Sequence, residues 1–195
     1  MLGRGTMKPK KLLLWGAIML LGLLVFFSNY QKQSYQRSRH RYQVPDVVLL
    51  NQRGEAVPLV AYLQADKPVI VEFVFTSCTS LCPSMAVKYV NFQNRLGADS
   101  QRVQLVSISV DPEVDTPQVI ADYLRHYQAR PGWDFLTGTP QTIKQVMDAF
   151  MISPADMITL DASILLRSAK TGDWIRINGQ LSSEDFFREY QLLEK

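Results

Sequence analysis

Val69-Ile70-Val71-Glu72-Phe73-Val74-Phe75 runs directly into Thr76-Ser77-Cys78-Thr79-Ser80-Leu81-Cys82-Pro83. The first seven residues are β-branched and aromatic enough for a buried strand, and Pro83 suits the first position of a helix. That helix is expected to pass through Met85, Ala86, Tyr89 and Val90 towards Leu96, where Gly97 stops it. Residues 103–110 form a second apolar strand signature, and the order strand, helix, strand implies a right-handed crossover between parallel neighbours. Thr116-Pro117 and Thr139-Pro140 each join a capping side chain to a preset φ, so each predicts a helix, ending near residue 128 and residue 150. Residues 46–50 and 56–60 flank Asn51-Gln52-Arg53-Gly54 as a hairpin, and residues 163–168 and 174–178 flank Lys170-Thr171-Gly172-Asp173 as another. Ser182-Ser183-Glu184-Asp185 resembles a capping box that opens a last helix. The alternation describes an α/β sandwich, a central mixed sheet with helices on both faces.

Cys78 and Cys82 are the only cysteines among 195 residues. Their turn falls at the carboxyl end of the first long strand, where open α/β sheets place their sites. A helix beginning there aims unpaired N–H groups and the positive end of its dipole at sulfur, which favours thiolate. On a continuous helix, residues four apart hold their Cβ atoms about 5–6 Å apart, whereas a disulfide needs about 3.5–4.5 Å. Cys78 is therefore expected in the loop and Cys82 near the helix cap, where the pair can close into a disulfide or open to grip a metal. A purely structural bridge over so short a loop would add only roughly 2 kcal/mol, and a domain of about 150 residues folds without one. Two thiolates prefer Cu(I). Zinc usually takes four ligands, and the two histidines fit poorly as partners: His40 lies in a polar stretch and His126 on the polar side of a helix.

The composition, 47% hydrophobic and 20% charged, is that of a folded domain. The net charge of +3 comes from cations around the first apolar run, and no basic stripe interleaved with aromatics follows, so nucleic-acid binding has no support. Residues 12–27 are uncharged and follow Arg4, Lys8, Lys10 and Lys11, the layout of an export signal or a membrane anchor. Such a run covers roughly 24 Å of a hydrocarbon core near 30 Å, and Ser28, Asn29 and Tyr30 extend it into the interface. Without an Ala-x-Ala pattern after it, an uncleaved anchor is expected. The expected organisation is an anchor over residues 1–30, a tether over 31–44 and a folded domain over 45–195. A vicinal dithiol beyond an export segment suits an oxidising compartment. The domain is accordingly expected on the periplasmic side of the inner membrane, held by one pass.

Three motifs in order resemble the SCO/SenC proteins: Phe75 to Pro83 with its Cys-x3-Cys-Pro core, Ser107-Ile108-Ser109-Val110-Asp111-Pro112-Glu113-Val114-Asp115-Thr116-Pro117, and Leu136-Thr137-Gly138-Thr139-Pro140. The resemblance implies a thioredoxin-like fold and a role in assembling the binuclear copper site of cytochrome c oxidase, by copper delivery, thiol reduction, or both. It also implies Cys78 and Cys82 as catalytic residues and copper ligands, and an exported or membrane copper protein, such as the copper-site subunit of the oxidase, as partner. The family's copper site adds a histidine in an Asp-His-Ser stretch entering a late strand, where this chain has Asp161-Ala162-Ser163. Replacement of that imidazole by Ala162 is expected to weaken copper binding, Cu(II) most, since even loss of a ligand's supporting partner costs about 10–100-fold. Met157 is a soft donor that could serve as a weak third ligand, whereas Met147 and Met151 are spaced as helix and core residues. Asp111 and Asp115 read as turn and cap neighbours.

These readings favour thiol–disulfide exchange, in which one thiolate attacks a partner disulfide and the other sulfur resolves the mixed disulfide. The alternative is a Cu(I) chaperone that hands the ion over from Cys78 and Cys82. A peroxiredoxin-type peroxidase fits less well: Thr79-Ser80-Leu81-Cys82 matches Thr-x-x-Cys, but Phe75 stands where that family's proline is expected.

Overall fold

The computed structural model describes residues 15, 18–23, 35–78, 82–153, 163–179 and 181–193. The chain divides into two units, Met1–Ser34 and Tyr35–Lys195. In the first, residues 18–23 are helical, and Ile18, Met19, Leu20, Leu21 and Leu23 are exposed. Most of the expected anchor lies outside the described residues. Among the described residues no helix is long and apolar enough to cross a membrane.

The second unit is built on β1 (Tyr35–His40), β2 (Val48–Asn51), β3 (Ala56–Pro58), α1 (Leu59–Leu63), β4 (Val69–Val74), α2 (Cys82–Leu96), β5 (Gln104–Ser109), α3 (Pro117–His126), β6 (Trp133–Thr137), α4 (Pro140–Ala149), β7 (Ser163–Arg167), β8 (Trp174–Gly179) and α5 (Ser183–Leu193). The strands form one sheet in the order β1-β8-β7-β4-β5-β6-β2-β3. β4–β5 and β5–β6 are parallel, and every other neighbouring pair is antiparallel. The expected hairpins are β2–β3 and β7–β8, and the expected parallel pair is β4 and β5, joined through α2.

Each face of the sheet has its own core. Ile70 and Val74 of β4 pack with Met85, Ala86, Tyr89 and Phe92 of α2, Ile120 and Leu124 of α3, and Phe186 and Tyr190 of α5. Val69, Val71 and Phe73 point the other way, into Leu59 and Leu63 of α1 and Ile143, Val146 and Met147 of α4. The period-two alternation of a strand thus divides the apolar run 69–75 between two helical layers, and Glu72 falls on the α2 side.

The local signals act as expected. Thr116 Oγ1 accepts the Val119 N–H at 3.4 Å to start α3, and Thr139 Oγ1 accepts the Thr142 N–H at 3.1 Å to start α4. Ser182 Oγ accepts the Asp185 N–H at 3.0 Å to start α5. Gly97 ends α2 with φ +58, a backbone state that glycine adopts without a steric cost. Gly138 answers a different need, because a Cβ there would lie 2.7 Å from Thr142 Oγ1 and 2.9 Å from Leu49 Cδ2.

Three findings depart from the sequence reading. Residues 35–40, expected within the tether, form an edge strand paired with β8 from Tyr35↔Gly179 to His40↔Trp174. It is held from a distance: Tyr35 Oη donates to Glu189 Oε1 at 2.7 Å, and Arg37 Nε donates to Glu189 Oε2 at 3.0 Å. β6 had no strand signal of its own beyond the Leu136-Thr137 pair. Met151 is not a core residue; it is 54% exposed and takes φ +54, where it closes α4 as Ile152 N–H bonds Met147 O at 2.8 Å.

Candidate functional site: a dithiol at the entrance of α2

β4 ends at Val74, and the chain turns through Phe75, Thr76 and Ser77 to Cys78, whose N–H bonds Phe75 O at 3.2 Å. Cys82 is the first residue of α2. The two cysteines therefore sit as their spacing predicts, one in the loop and one at the helix start. They are thiols, with no disulfide between them, and their side chains hydrogen-bond each other. Their surroundings differ. Cys78 is half-buried, whereas Cys82 is only 3% exposed and belongs to the α2-side core with Val74 and Met85.

At Cys82 that asymmetry works against the thiolate that the helix entrance was expected to favour. Burial pushes the Cys82 thiol up to about 12, against a lowering hydrogen bond with the Phe75 backbone, and the Cys78 side chain and the Glu72 charge raise it further. Removing water from around sulfur here outweighs the helix N-terminus. Tyr123 Oη of α3 donates to Cys82 O at 3.5 Å, so α3 helps hold the start of α2.

Asp115, a neighbour of the helix cap in the sequence reading, has a larger task. Its side chain is fully buried. It accepts the Ser109 hydroxyl at 2.6 Å, the Thr76 N–H at 3.2 Å and the Thr76 hydroxyl. The loop after β5 is thereby tied to the turn two residues before Cys78. The motif spacing contained this signal only as an acid next to Thr116-Pro117.

Glu72 gave no functional signal beyond being the one charge in an apolar strand. It is 3% exposed. Oε1 accepts the Ser107 hydroxyl at 2.6 Å, and Ser107 Oγ in turn accepts Trp133 Nε1–H at 2.9 Å. Oε2 is buried without a hydrogen-bond partner among the described residues. Burial pushes its carboxyl up to about 7, with the Ser107 bond and the Lys88 charge pulling downward.

As a donor set for metal, the paired thiols suit a soft monovalent ion such as Cu(I). Among the described residues no group of three His, Cys, Asp or Glu side chains could hold a metal ion. His40 stacks on Tyr42 with ring centroids 5.4 Å apart, and His126 lies exposed in the last turn of α3. Met147 is buried in the α4-side core. Met157 and Ala162 lie outside the described residues.

With this geometry in hand, a family model described as SCO1/SenC matches residues 36–163. The chain belongs to the SCO1/SenC family. Among relatives, the SCO1 protein homolog of Bacillus subtilis (strain 168) is 33% identical over 102 residues, 52% of each chain. The SCO2-like protein of Rickettsia felis is 36% identical over 83 residues, 43% of this chain and 40% of that one. The chain thus spans about half the length, or less, of these relatives. BsSco, a Sco-family cytochrome c oxidase assembly protein in which a disulfide switch was identified, superposes with TM-score 0.65 at 26% identity, covering 80% of this chain and 95% of that one. Bradyrhizobium japonicum ScoI, solved with copper bound, superposes with TM-score 0.60 at 25% identity, covering 75% and 96%. The SCO1/SenC fold of this chain is thioredoxin-like, a mixed sheet flanked by helices.

Proposed function

We propose that this SCO1/SenC protein is a membrane-anchored, extracytoplasmic thiol–disulfide oxidoreductase that prepares the copper site of an exported or membrane protein, that of cytochrome c oxidase. The observation that carries the reading is the unequal exposure of a hydrogen-bonded pair, Cys78 half-buried and Cys82 in the core. A partner disulfide can approach Cys78. Its thiolate attacks one partner sulfur and forms a mixed disulfide; Cys82 then attacks the Cys78 sulfur, closes the intramolecular disulfide and releases the partner as a dithiol. The disulfide switch of BsSco and that protein's membership in an oxidase-assembly family support the reading. The cation-flanked apolar run 12–27 supports the anchor, with the domain on the periplasmic side of the inner membrane.

Copper enters as cargo. The copper-bound Bradyrhizobium ScoI favours a second reading in which Cys78 and Cys82 carry Cu(I) and pass it on by ligand exchange. Ala162 at the position of the family's Asp-His-Ser histidine argues for weakened binding, with Met157 as a soft donor in reserve.

The decisive experiment is trapping in the native membrane. Cys82→Ser keeps the attacking sulfur and removes the resolving one, so it should accumulate a mixed disulfide with a copper-site protein. Recovery of only unlinked Cys82→Ser protein would count against exchange. Anaerobic Cu(I) titration of the wild type beside Ala162→His ranks the two readings: tight stoichiometric binding without the histidine favours the chaperone, and tight binding in the variant alone favours exchange.

A further inference from the structure

The end of the sheet opposite the dithiol carries a second concave feature, and the strand register places it. His40, the last residue of β1, pairs with Trp174 of β8; Trp174 pairs with Arg167 of β7, and Arg167 with Val69, the first residue of β4. The dithiol follows Val74, the last residue of β4, roughly 17 Å further along that strand. Between the chain leaving β1 and the turn that joins β7 to β8 lies a polar cleft of about 350 Å³, at the small end of the range for ligand pockets.

The charges that line this cleft do not balance. Arg41 and Arg167 face one acid, Asp173. Asp173 already has a counter-charge outside the pair, because Arg39 Nη1 lies 3.7 Å from its Oδ2. Arg41 is exposed and has no hydrogen bond or ion pair among the described residues. Arg167 is half-buried, yet among the described residues its guanidinium bonds only the Ala65 carbonyl, at 3.3 Å, and no carboxylate. A guanidinium drawn partly out of water has several N–H donors to satisfy and a charge to compensate.

The turn leaves that fork accessible. Gly172 takes φ +70, and a Cβ there would rest 3.6 Å from Arg167 Nη2; glycine adopts this backbone state and leaves the guanidinium uncovered. Thr171 Oγ1 accepts the Asp173 N–H at 3.2 Å, which leaves the hydroxyl proton to donate. On the β1 side the stacked rings of His40 and Tyr42 form the wall. Arg41 reaches Arg167 only because β1 is a strand; as a free linker it would have no fixed place beside the β7–β8 turn.

We propose that this cleft is a phosphate-binding site, in which Arg41 and Arg167 supply charge-assisted hydrogen bonds and Thr171 a neutral one. Guanidinium forks match phosphate oxygens with parallel N–H donors, and two of them compensate the charge of a phosphate group. A small soluble phosphate and the headgroup of an anionic phospholipid both offer this chemistry. The site is separate from the dithiol, so its failure would leave thiol–disulfide exchange untouched.

The test is isothermal titration of the reduced full-length chain in an uncharged detergent, with ionic strength held constant by chloride. One arm uses inorganic phosphate and the other dihexanoylphosphatidylglycerol. Saturable binding is expected in at least one arm. Tighter binding of the lipid assigns the cleft to headgroups; tighter or equal binding of phosphate assigns it to soluble phosphates. Arg41→Ala, at an exposed position, and Arg167→Lys, which keeps the charge but removes the fork, should each weaken binding by at least about tenfold. Arg125→Ala takes an exposed cation from α3 and changes the net charge as Arg41→Ala does, and it should leave the affinity unchanged. Absence of saturable binding in both arms, equal weakening by Arg125→Ala, or unchanged affinity in Arg41→Ala overturns the proposal. If Arg167→Lys does not fold, Arg41→Ala beside Arg125→Ala decides.

Discussion

Cys78 and Cys82 share one turn and differ in what surrounds each sulfur. With its thiol pushed up to about 12 by burial, Cys82 stays protonated at pH 7, whereas an ordinary exposed thiol is about 3% thiolate there. Cys82 is also almost sealed, at 3% exposure. Iodoacetamide at pH 7 should therefore modify Cys78 at least about tenfold faster, measured by quenching at partial labelling and reading the two peptides by mass spectrometry. Equal rates, or labelling of Cys82 first, would remove the physical basis for naming Cys78 as the attacking sulfur. The pairing of two cysteines at a strand-to-helix turn was legible from Cys-x3-Cys-Pro alone. The inequality between them was not, because it arises from Val74, Met85 and the rest of the α2-side core. Asp115 and Glu72 escaped for the same reason, since their partners Thr76 and Ser107 lie 39 and 35 residues away.

β1 shows what decides whether an element announces itself. The helices and central strands carry local signals: Thr-Pro caps, a stopping glycine, and apolar runs that alternate into two cores. Tyr35–His40 carries none, with Gln36, Arg37, Ser38 and Arg39 all exposed. Its ladder to β8 is reinforced by Glu189 of α5, which is 3% exposed and receives both Tyr35 Oη and Arg37 Nε. A polar edge strand fixed by one distant acid reads as linker until α5 is in place. Glu189→Ala removes that acid and leaves the Tyr35 hydroxyl with Arg188 as its remaining partner. Hydrogen exchange of the β1 amides should then rise by roughly tenfold or more, as expected for losing on the order of 1.5–3 kcal/mol of charge-assisted hydrogen bonding. Amides of β4 and β5, four and five positions into the sheet, should keep their protection. An unchanged β1, or equal loosening of the whole sheet, would show that Glu189 does not hold this edge.

Across the whole domain, the buried carboxyl of Glu72 should set how stability depends on pH. The α2-side layer encloses Glu72 on β4, one of the two central strands of the sheet. Its carboxyl is raised from 4.5 to about 7, first by burial, so the folded state holds this proton more tightly than the unfolded chain does. The sign follows from linkage. The contribution is fully present below about pH 4.5, declines as the unfolded chain ionises, and is lost once pH passes about 7, where the folded protein must also bury the charge. The drop amounts to roughly 3 kcal/mol at about 1.4 kcal/mol per pH unit. Urea unfolding of the reduced protein between pH 5 and pH 8 should show a midpoint falling through this window. Glu72→Gln, which cannot ionise and retains an oxygen for the Ser107 hydroxyl, should flatten the fall and overtake wild type on the alkaline side. Parallel pH profiles for the two proteins would mean that Glu72 does not change protonation there. A fall confined to wild type would assign the loss of stability towards neutral pH to ionisation of the buried Glu72 carboxyl.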